Sequence, residues 1–282
     1  QVDGNVTYLN PYVTWGVFTL REVFGVVKPK ANSRDLEKFV SELGWKAYFR
    51  ECFLALGDRV YTSLEPYKYP TTSKQDFLPD EISNAETGIE AVDSIVRELK
   101  STGYSHNHKR MWFAAYLVHY ANVEWTHGES FFYHYLLDGE PGPNALSWQW
   151  VASTFSGKPY YFNGQNMAKN NHPGWEGTLL DDSYENLNAK YFAGQADGGY
   201  AKRPQEQPTA TGEAPFPELV RAVKSKPLVV LHAERLSDEA EVLKAAKDAP
   251  VVVMLDGARF KKEHPSFMRL YFALSLATDV VK

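Results

Sequence analysis

The stretch from Thr102 to Ala121, TGYSHNHKRMWFAAYLVHYA, constrains the fold more than any other part of the chain. Residues three and four apart share a helix face, so Asn107, Arg110, Met111 and Ala114 are predicted to look the same way. A dense apolar run accompanies them in Trp112, Phe113, Ala115, Leu117 and Val118. Small residues on that face, followed by bulky ones, predict a helix with something flat packed close against its start. A guanidinium half-buried among apolar residues is costly unless an acid partners it. The sequence offers Asp138, in LLDGEPGPNALSWQW, as that acid.

Around this segment the chain reads as mainly helical. Ser33 to Leu56 carries Leu36, Phe39, Val40, Leu43 and Ala47 at helical spacing, with Ser33 as its expected N-cap. Thr87 to Lys100 is a strongly amphipathic helix with Ile89, Val92, Ile95, Val96 and Leu99 on the core side. Val123 to Leu137 predicts another helix, whereas Tyr61 to Glu81 lacks periodicity and reads as a loop. From 194 to 226 the chain is rich in Gly, Pro, Gln and Thr and reads as a linker. Beyond it, Leu228–His232 and Val251–Leu255 have strand length and flank a helical pattern at Ser237–Ala246, with a further helix from Ser266. The expected organisation is a helical domain over 1–193 and a partial β-α-β-α segment over 227–282. Two strands do not make a stable sheet in isolation, so that segment must dock on something.

Composition excludes several classes. A single cysteine, Cys52, rules out an intramolecular disulfide framework and a cysteine-based zinc cluster, and fits a reducing compartment. No apolar run approaches the roughly 20 residues of a membrane span, and no signal-peptide pattern opens the sequence. The expectation is a soluble intracellular protein of the cytoplasm, nucleus or an organelle, with no metal site. A net charge of −5 argues mildly against nucleic acid as a partner.

Three runs then resemble a family. G-[YW]-x-H-N-x-x-R-M, followed by E-W-x-x-G-E-x-F-F and L-L-D-G-[ED]…N…W-Q-W-V-A-S-T, is similar to the FAD-binding helical domain of the DNA photolyase and cryptochrome family, nearest its cyclobutane-dimer photolyase pattern. The resemblance covers roughly residues 6 to 165. It implies an all-helical domain holding FAD, and light-driven repair of cyclobutane pyrimidine dimers in DNA by electron transfer.

Thr7, Tyr8, Leu9 and Asn10 fall on the family's pyrophosphate-binding stretch, with Asn10 in place of the usual Ser. Asn107, Arg110, Asp138, Glu140 and Asn144 fall on residues that hold the flavin and ribose. Glu140 replaces the usual Asp and is one methylene longer. Asn144 matches the amide facing the flavin ring and is expected to tolerate both its neutral and its anionic reduced form. Trp148 and Trp125 match the proximal and middle members of an electron-transfer chain. Glu42, Trp45, Lys46, Met111 and Trp150 match the residues that receive the flipped-out dimer. Taken singly, Asn10-Pro11 also reads as a turn initiator, and Trp45 as an interfacial residue of an amphipathic helix.

The sequence also departs from that pattern. No tryptophan stands between Trp45 and Trp112, where the distal member of the electron-transfer chain is expected; Tyr61, Tyr67 and Tyr69 are the substitutes on offer. His108, beside Lys109, replaces an Arg, and another Arg is missing from Pro159-Tyr160-Tyr161-Phe162-Asn163-Gly164. Each loss weakens contact with DNA phosphates without touching the flavin site. The segment VVLHAERLSDEAEVLKAA resembles the opening of the family's antenna domain. It follows the flavin-type segment instead of preceding it, an arrangement that reads as permuted, truncated or rearranged. No second chromophore is expected. A protein partner covering the place of the antenna domain is expected, as is damaged DNA. The competing expectation is a non-enzymatic flavoprotein: a cryptochrome-like light sensor, or a degenerate subunit of a larger assembly.

Overall fold

In the computed structural model, residues 6–193 and the backbone of 229–232 and 251–254 are described. The chain divides into two compact units, residues 1–7 with 49–202 and residues 8–48 with 203–282.

The second unit contains α1 (Asn10–Thr14) and α2 (Leu20–Val27), together with most of the long helix α3 (Ser33–Leu56), which runs on into the first. Asn10-Pro11 opens α1: proline lacks the N–H that a first turn leaves unsatisfied anyway. Thr19 and Glu22 close a reciprocal capping box at α2. The cap of α3 is Asn32, whose side-chain oxygen accepts the Asp35 N–H at 2.9 Å. Ser33, the expected cap, is already helical. Lys46 Nζ donates to Thr14 Oγ1 at 3.0 Å and ties α1 to α3. The strands β1 (Val229–His232) and β2 (Val251–Met254) pair in parallel, in register Val229 with Val251. A parallel pair needs a crossover between its strands. The predicted helices at 237–246 and from 266 lie outside the described residues.

The first unit carries the core. A 3₁₀ turn (Gly57–Tyr61) leads through a loop to α4 (Asp80–Ser83) and α5 (Glu90–Thr102). α5 starts three residues later than its pattern suggested, because Thr87 gives both its N–H and its hydroxyl to Asp93. α6 (Asn107–Ala115) buries Trp112, Phe113, Ala114 and Ala115 in the core cluster to which α7 (Trp125–Tyr135) and α8 (Pro141–Ala152) also contribute. The short helices α9 (Gly164–Ala168) and α10 (Tyr184–Tyr191) complete the described part.

The central helix does not run as α-helix to Ala121. It widens into a π turn over Tyr116–Tyr120, where the Ala121 N–H bonds the Tyr116 carbonyl at 2.8 Å. The carbonyls released there find other donors: Lys74 Nζ takes Val118 O at 2.6 Å, and Gln75 Nε2 takes Ala121 O at 2.9 Å. These donors lie more than forty residues away in the chain, so helical periodicity carries no trace of them.

Two glycines set the spacing. Gly103 ends α5 in the left-handed region at φ 66°, and a Cβ there would stand 2.7 Å from Leu137 Cγ. Gly128 lets α7 lie directly on Trp148; a Cβ would stand 2.2–2.9 Å from its six-membered ring. Gly128→Ala is therefore expected to force Trp148 off its rotamer and to cost about 1–3 kcal/mol in urea unfolding.

His119 lies buried in the π turn, its Nδ1 2.7 Å from the Tyr69 hydroxyl and its Nε2 3.1 Å from Val151 O. Burial and the Lys74 charge push its pKa down to about 3, against about 6.5 for an unfolded imidazole. Protons thus bind the unfolded chain first: stability is complete above about pH 6.5 and is lost as pH falls toward 3. The urea midpoint should fall between about pH 7 and pH 5, and fall less in His119→Gln.

Candidate functional site

The site-bearing residues of the first unit gather where α6 starts, where the 137–140 loop turns, and along α7 and α8. Position is set locally first. The Leu137 N–H bonds Gly103 O at 2.8 Å, so the loop after α7 is sewn to the turn before α6. That brings Asp138 to Arg110: Nη2 donates to Oδ2 at 3.0 Å, while Nε donates to Ser105 O at 2.7 Å. The Asp138 side chain is 3% exposed and that of Arg110 22%. The expected pairing of a half-buried guanidinium with this acid is present. Tyr104 lies beneath the guanidinium, 5.9 Å from ring centroid to Cζ.

Glu140 is buried next along the loop and accepts an ion-pair hydrogen bond from Arg50 Nε of α3. Sequence reasoning gave Arg50 no role, although it is the terminal Arg of the E-L-x-W-[RK]-x-[FY]-[FY]-R run. Asn144 is buried on the second turn of α8. Its amide nitrogen donates to Glu129 twice, to the backbone O at 2.9 Å and to Oε1 at 2.8 Å. With both N–H groups committed, what the side chain can still offer is its oxygen, an acceptor. Glu129 was the second missed residue; the G-E step of its motif was the available signal.

Asn107 is exposed in the first turn of α6, and its amide lies 3.7 Å from Met111 Sδ. Met111 is half-buried. Trp148 is buried among Phe132 and Phe113, both edge-on to it, at 5.0 and 6.3 Å. Trp125 is buried at the start of α7 and donates its indole N–H to Ser63 Oγ at 2.9 Å. Trp150, 42% exposed, lies against Tyr160 at 5.8 Å. Lys109, beside the missing Arg, is bound to Glu98 at 2.6 Å. Between the two indoles of W-Q-W stands Gln149, fully buried, holding Leu64 N and Val60 O.

Thr7 is exposed at the edge of the first unit. Tyr8, Leu9, Asn10, Glu42, Trp45 and Lys46 belong to the second unit. There Tyr8 adopts a left-handed φ of 53° and Leu9 is the cap of α1. Glu42 is exposed, as is Trp45 at 55%, edge-on to Tyr48. No group of His, Cys, Asp and Glu able to hold a metal occurs among the described residues. No described helix is long and apolar enough to cross a membrane.

Comparison with known proteins agrees with this geometry. Residues 39–173 match the family model described as the FAD binding domain of DNA photolyase. The chain is 30% identical over 156 residues to a deoxyribodipyrimidine photo-lyase of Alkalihalophilus pseudofirmus, covering 55% of this chain and 33% of that one. It is 29% identical over 188 residues to the mitochondrial deoxyribodipyrimidine photo-lyase of Saccharomyces cerevisiae, covering 60% and 33%. An archaeal photolyase from Sulfolobus tokodaii, solved with two FAD molecules, superposes with a TM-score of 0.53 at 26% identity, over 69% of this chain and 46% of that one. These findings define a photolyase-type helical domain. The likeness is to the photolyase FAD-binding domain over residues 39–173, and the chain spans about a third of the length of the curated relatives it matches.

Removing the charge of Asp138 leaves a partly buried guanidinium without its carboxylate. Asp138→Asn should lower unfolding stability by about 1–3 kcal/mol, read by urea titration, and Asp138→Asn with Arg110→Gln should recover part of it.

Proposed function

We propose that this chain binds FAD and carries out light-driven repair of cyclobutane pyrimidine dimers in DNA. The observation that carries the reading is the buried Arg110–Asp138 pair, followed along the same loop and helix by Asn144, whose amide Glu129 orients. The donor set fits a flavin: its ring edge presents N–H donors beside carbonyl acceptors. Arg110, Asp138 and Asn144 offer a cation, a carboxylate and an amide oxygen to match them. When bound in its reduced form, FAD supplies, on absorbing blue light, the electron that opens a dimer.

The chain's own residues hold, shield and supply that chemistry. Arg110 and Asp138 support the ring edge, with Glu140 and Asn107 on the ribose side; Thr7, Tyr8, Leu9 and Asn10 bind the pyrophosphate. Asn144 accepts a proton-bearing nitrogen through its oxygen, because Glu129 holds its N–H groups. Trp148 and Trp125 pass electrons inward. Glu42, Trp45, Lys46, Met111 and Trp150 receive the dimer. The exposed indoles of Trp45 and Trp150 suit stacking by a base taken out of the duplex. The functional domain is residues 1–193, joined by 194–226 to the α/β segment over 227–282; the parallel pairing of β1 and β2 supports that class for the segment. A protein partner covers the place of the family's antenna domain.

The second reading, a flavoprotein that does not repair DNA, draws on the Lys109–Glu98 bond, which takes a cation away from DNA phosphates. One assay separates the two. Protein reconstituted with FAD and reductant should repair a dimer-containing oligonucleotide under blue light. Turnover should drop roughly tenfold or more in Trp150→Ala, as one stacking contact worth about 1–3 kcal/mol is lost. Flavin retained without repair overturns the enzyme reading alone, and failure to retain flavin overturns both.

A further inference from the structure

Half-buried Tyr67 and buried Tyr69, two of the tyrosines that stand where a distal tryptophan is expected, form one polar aromatic group. The loop carrying Tyr67, Tyr69 and Lys74 is fastened at both ends. The C-terminal end of α8 holds one side: Leu64 N–H bonds Gln149 Oε1 at 2.9 Å, Glu65 N–H bonds Thr154 O at 3.0 Å, and Lys68 N–H bonds Ser153 Oγ at 2.9 Å. The start of α7 holds the other, through Gln75 N–H to Asn122 O at 2.9 Å and Glu124 N–H to Gln75 O at 3.0 Å. Trp125 is clasped by the same loop through Ser63. Tyr67 therefore sits in a fixed place against the residue that precedes Trp125. Its hydroxyl donates to Glu124 Oε2 at 3.0 Å.

Two phenol–base pairs lie side by side here, with the Tyr67 and Tyr69 rings 5.6 Å apart. Tyr69 is hydrogen-bonded to His119, which burial and Lys74 hold neutral, so that imidazole is a poor proton acceptor. Tyr67 faces a half-buried carboxylate that can hand a proton on to water. Burial and Glu124 push the Tyr67 phenol up, so it stays protonated throughout the accessible pH range. The Lys74 ammonium stands 5.0 Å over the Tyr67 ring and 5.8 Å over Tyr69. A cation there opposes positive charge on the rings, so Tyr67 can give up an electron readily only if its proton leaves too. Tyr61, the remaining substitute for a distal tryptophan, packs edge-on to Phe53 at 6.4 Å.

We propose that Tyr67 and Glu124 form a redox dyad that ends the electron path at Trp125. This deepens the proposed function and rests on its reading of Trp125 as an electron carrier. The oxidised Trp125 indole, a cation radical left by a one-electron oxidant such as a photo-excited oxidised flavin, takes one electron from Tyr67. The Tyr67 hydroxyl proton passes to Glu124 Oε2 in the same step. Trp125 returns to the neutral indole, Tyr67 becomes a neutral phenoxyl radical, and Glu124 becomes a carboxylic acid. An external reductant then gives one electron to the phenoxyl, and the proton returns to it from Glu124, restoring Tyr67 and the carboxylate.

The test does not need flavin. Azidyl radicals produced by pulse radiolysis oxidise indoles in the purified 282-residue chain, and indole and phenoxyl radicals are followed by their separate absorption. Wild type should show an intramolecular phase in which phenoxyl grows as indole radical decays. That phase should be lost in Tyr67→Phe and in Trp125→Phe and kept in Tyr69→Phe. In Glu124→Gln it should slow by about a hundredfold, the low end of what a positioned base contributes. The wild-type phase should also slow in heavy water, which needs no variant. Identical kinetics in Tyr67→Phe, loss of the phase in Tyr69→Phe, or an unchanged rate in heavy water would each overturn the dyad. A chain that retains no flavin yet shows the phase rejects the flavin reading and leaves the dyad standing.

Discussion

The ion pair between Arg110 and Asp138 is the constraint on which the rest of this domain turns. A carboxylate as buried as Asp138 loses its hydration, and only a well-placed cation offsets that loss. The cation must come from α6 and the acid from the turn after α7, so the pair fixes how three helices meet. Neither residue could reach the other without the backbone seam between Gly103 and Leu137, where the absence of a Cβ allows the two segments to touch. Arg50 and Glu140 add a second ion pair on the same loop, and Asn144 and Glu129 lock the neighbouring helix faces. The outcome is a cluster of polar side chains fixed to one another by hydrogen bonds, the kind of support that a site orienting a ligand requires.

Polar groups at the C-terminal end of α8 and just beyond it also do architectural work in the opposite direction. Gln149, Ser153 and Thr154 hold the 64–68 loop, while the indoles on either side of Gln149 have different environments, Trp148 buried and Trp150 exposed. One helix thus serves the core with one tryptophan and the surface with another, because successive residues of a helix point about a hundred degrees apart. The loop it secures is the one that brings Ser63 to Trp125 and Tyr67 to Glu124 beside it.

Much of the helical framework was legible. α5, α6 and α7 follow apolar residues spaced three and four apart, and the Arg110–Asp138 pairing followed from the cost of an unpartnered guanidinium. The resemblance in three short motifs pointed to the cofactor class. What could not be read were partners distant in sequence. Arg50 lies 90 residues from Glu140, and Gln149 lies 85 from Leu64. The π turn at Tyr116–Tyr120 was equally hidden, since the lysine and glutamine that donate to its redirected carbonyls sit in a loop with no periodic signal. The cap of α3 fell one residue early because Asn32 and Ser33 are both good capping residues, and only geometry chooses between them.

The amino-acid sequence by itself determined the helical class of the domain, the acid that Arg110 needs, and the family that its motifs resemble. These depend on local periodicity, on the electrostatic cost of burial and on short runs of residues. The tertiary structure alone decided that Glu129 turns the Asn144 amide so that its oxygen remains to accept, and that Glu140 is bound to Arg50. It alone also decided that Tyr67, of the three tyrosines on offer, meets a carboxylate next to Trp125. Hydrogen bonds are directional and act over about 3 Å, so which donor meets which acceptor is settled only when distant segments are packed together.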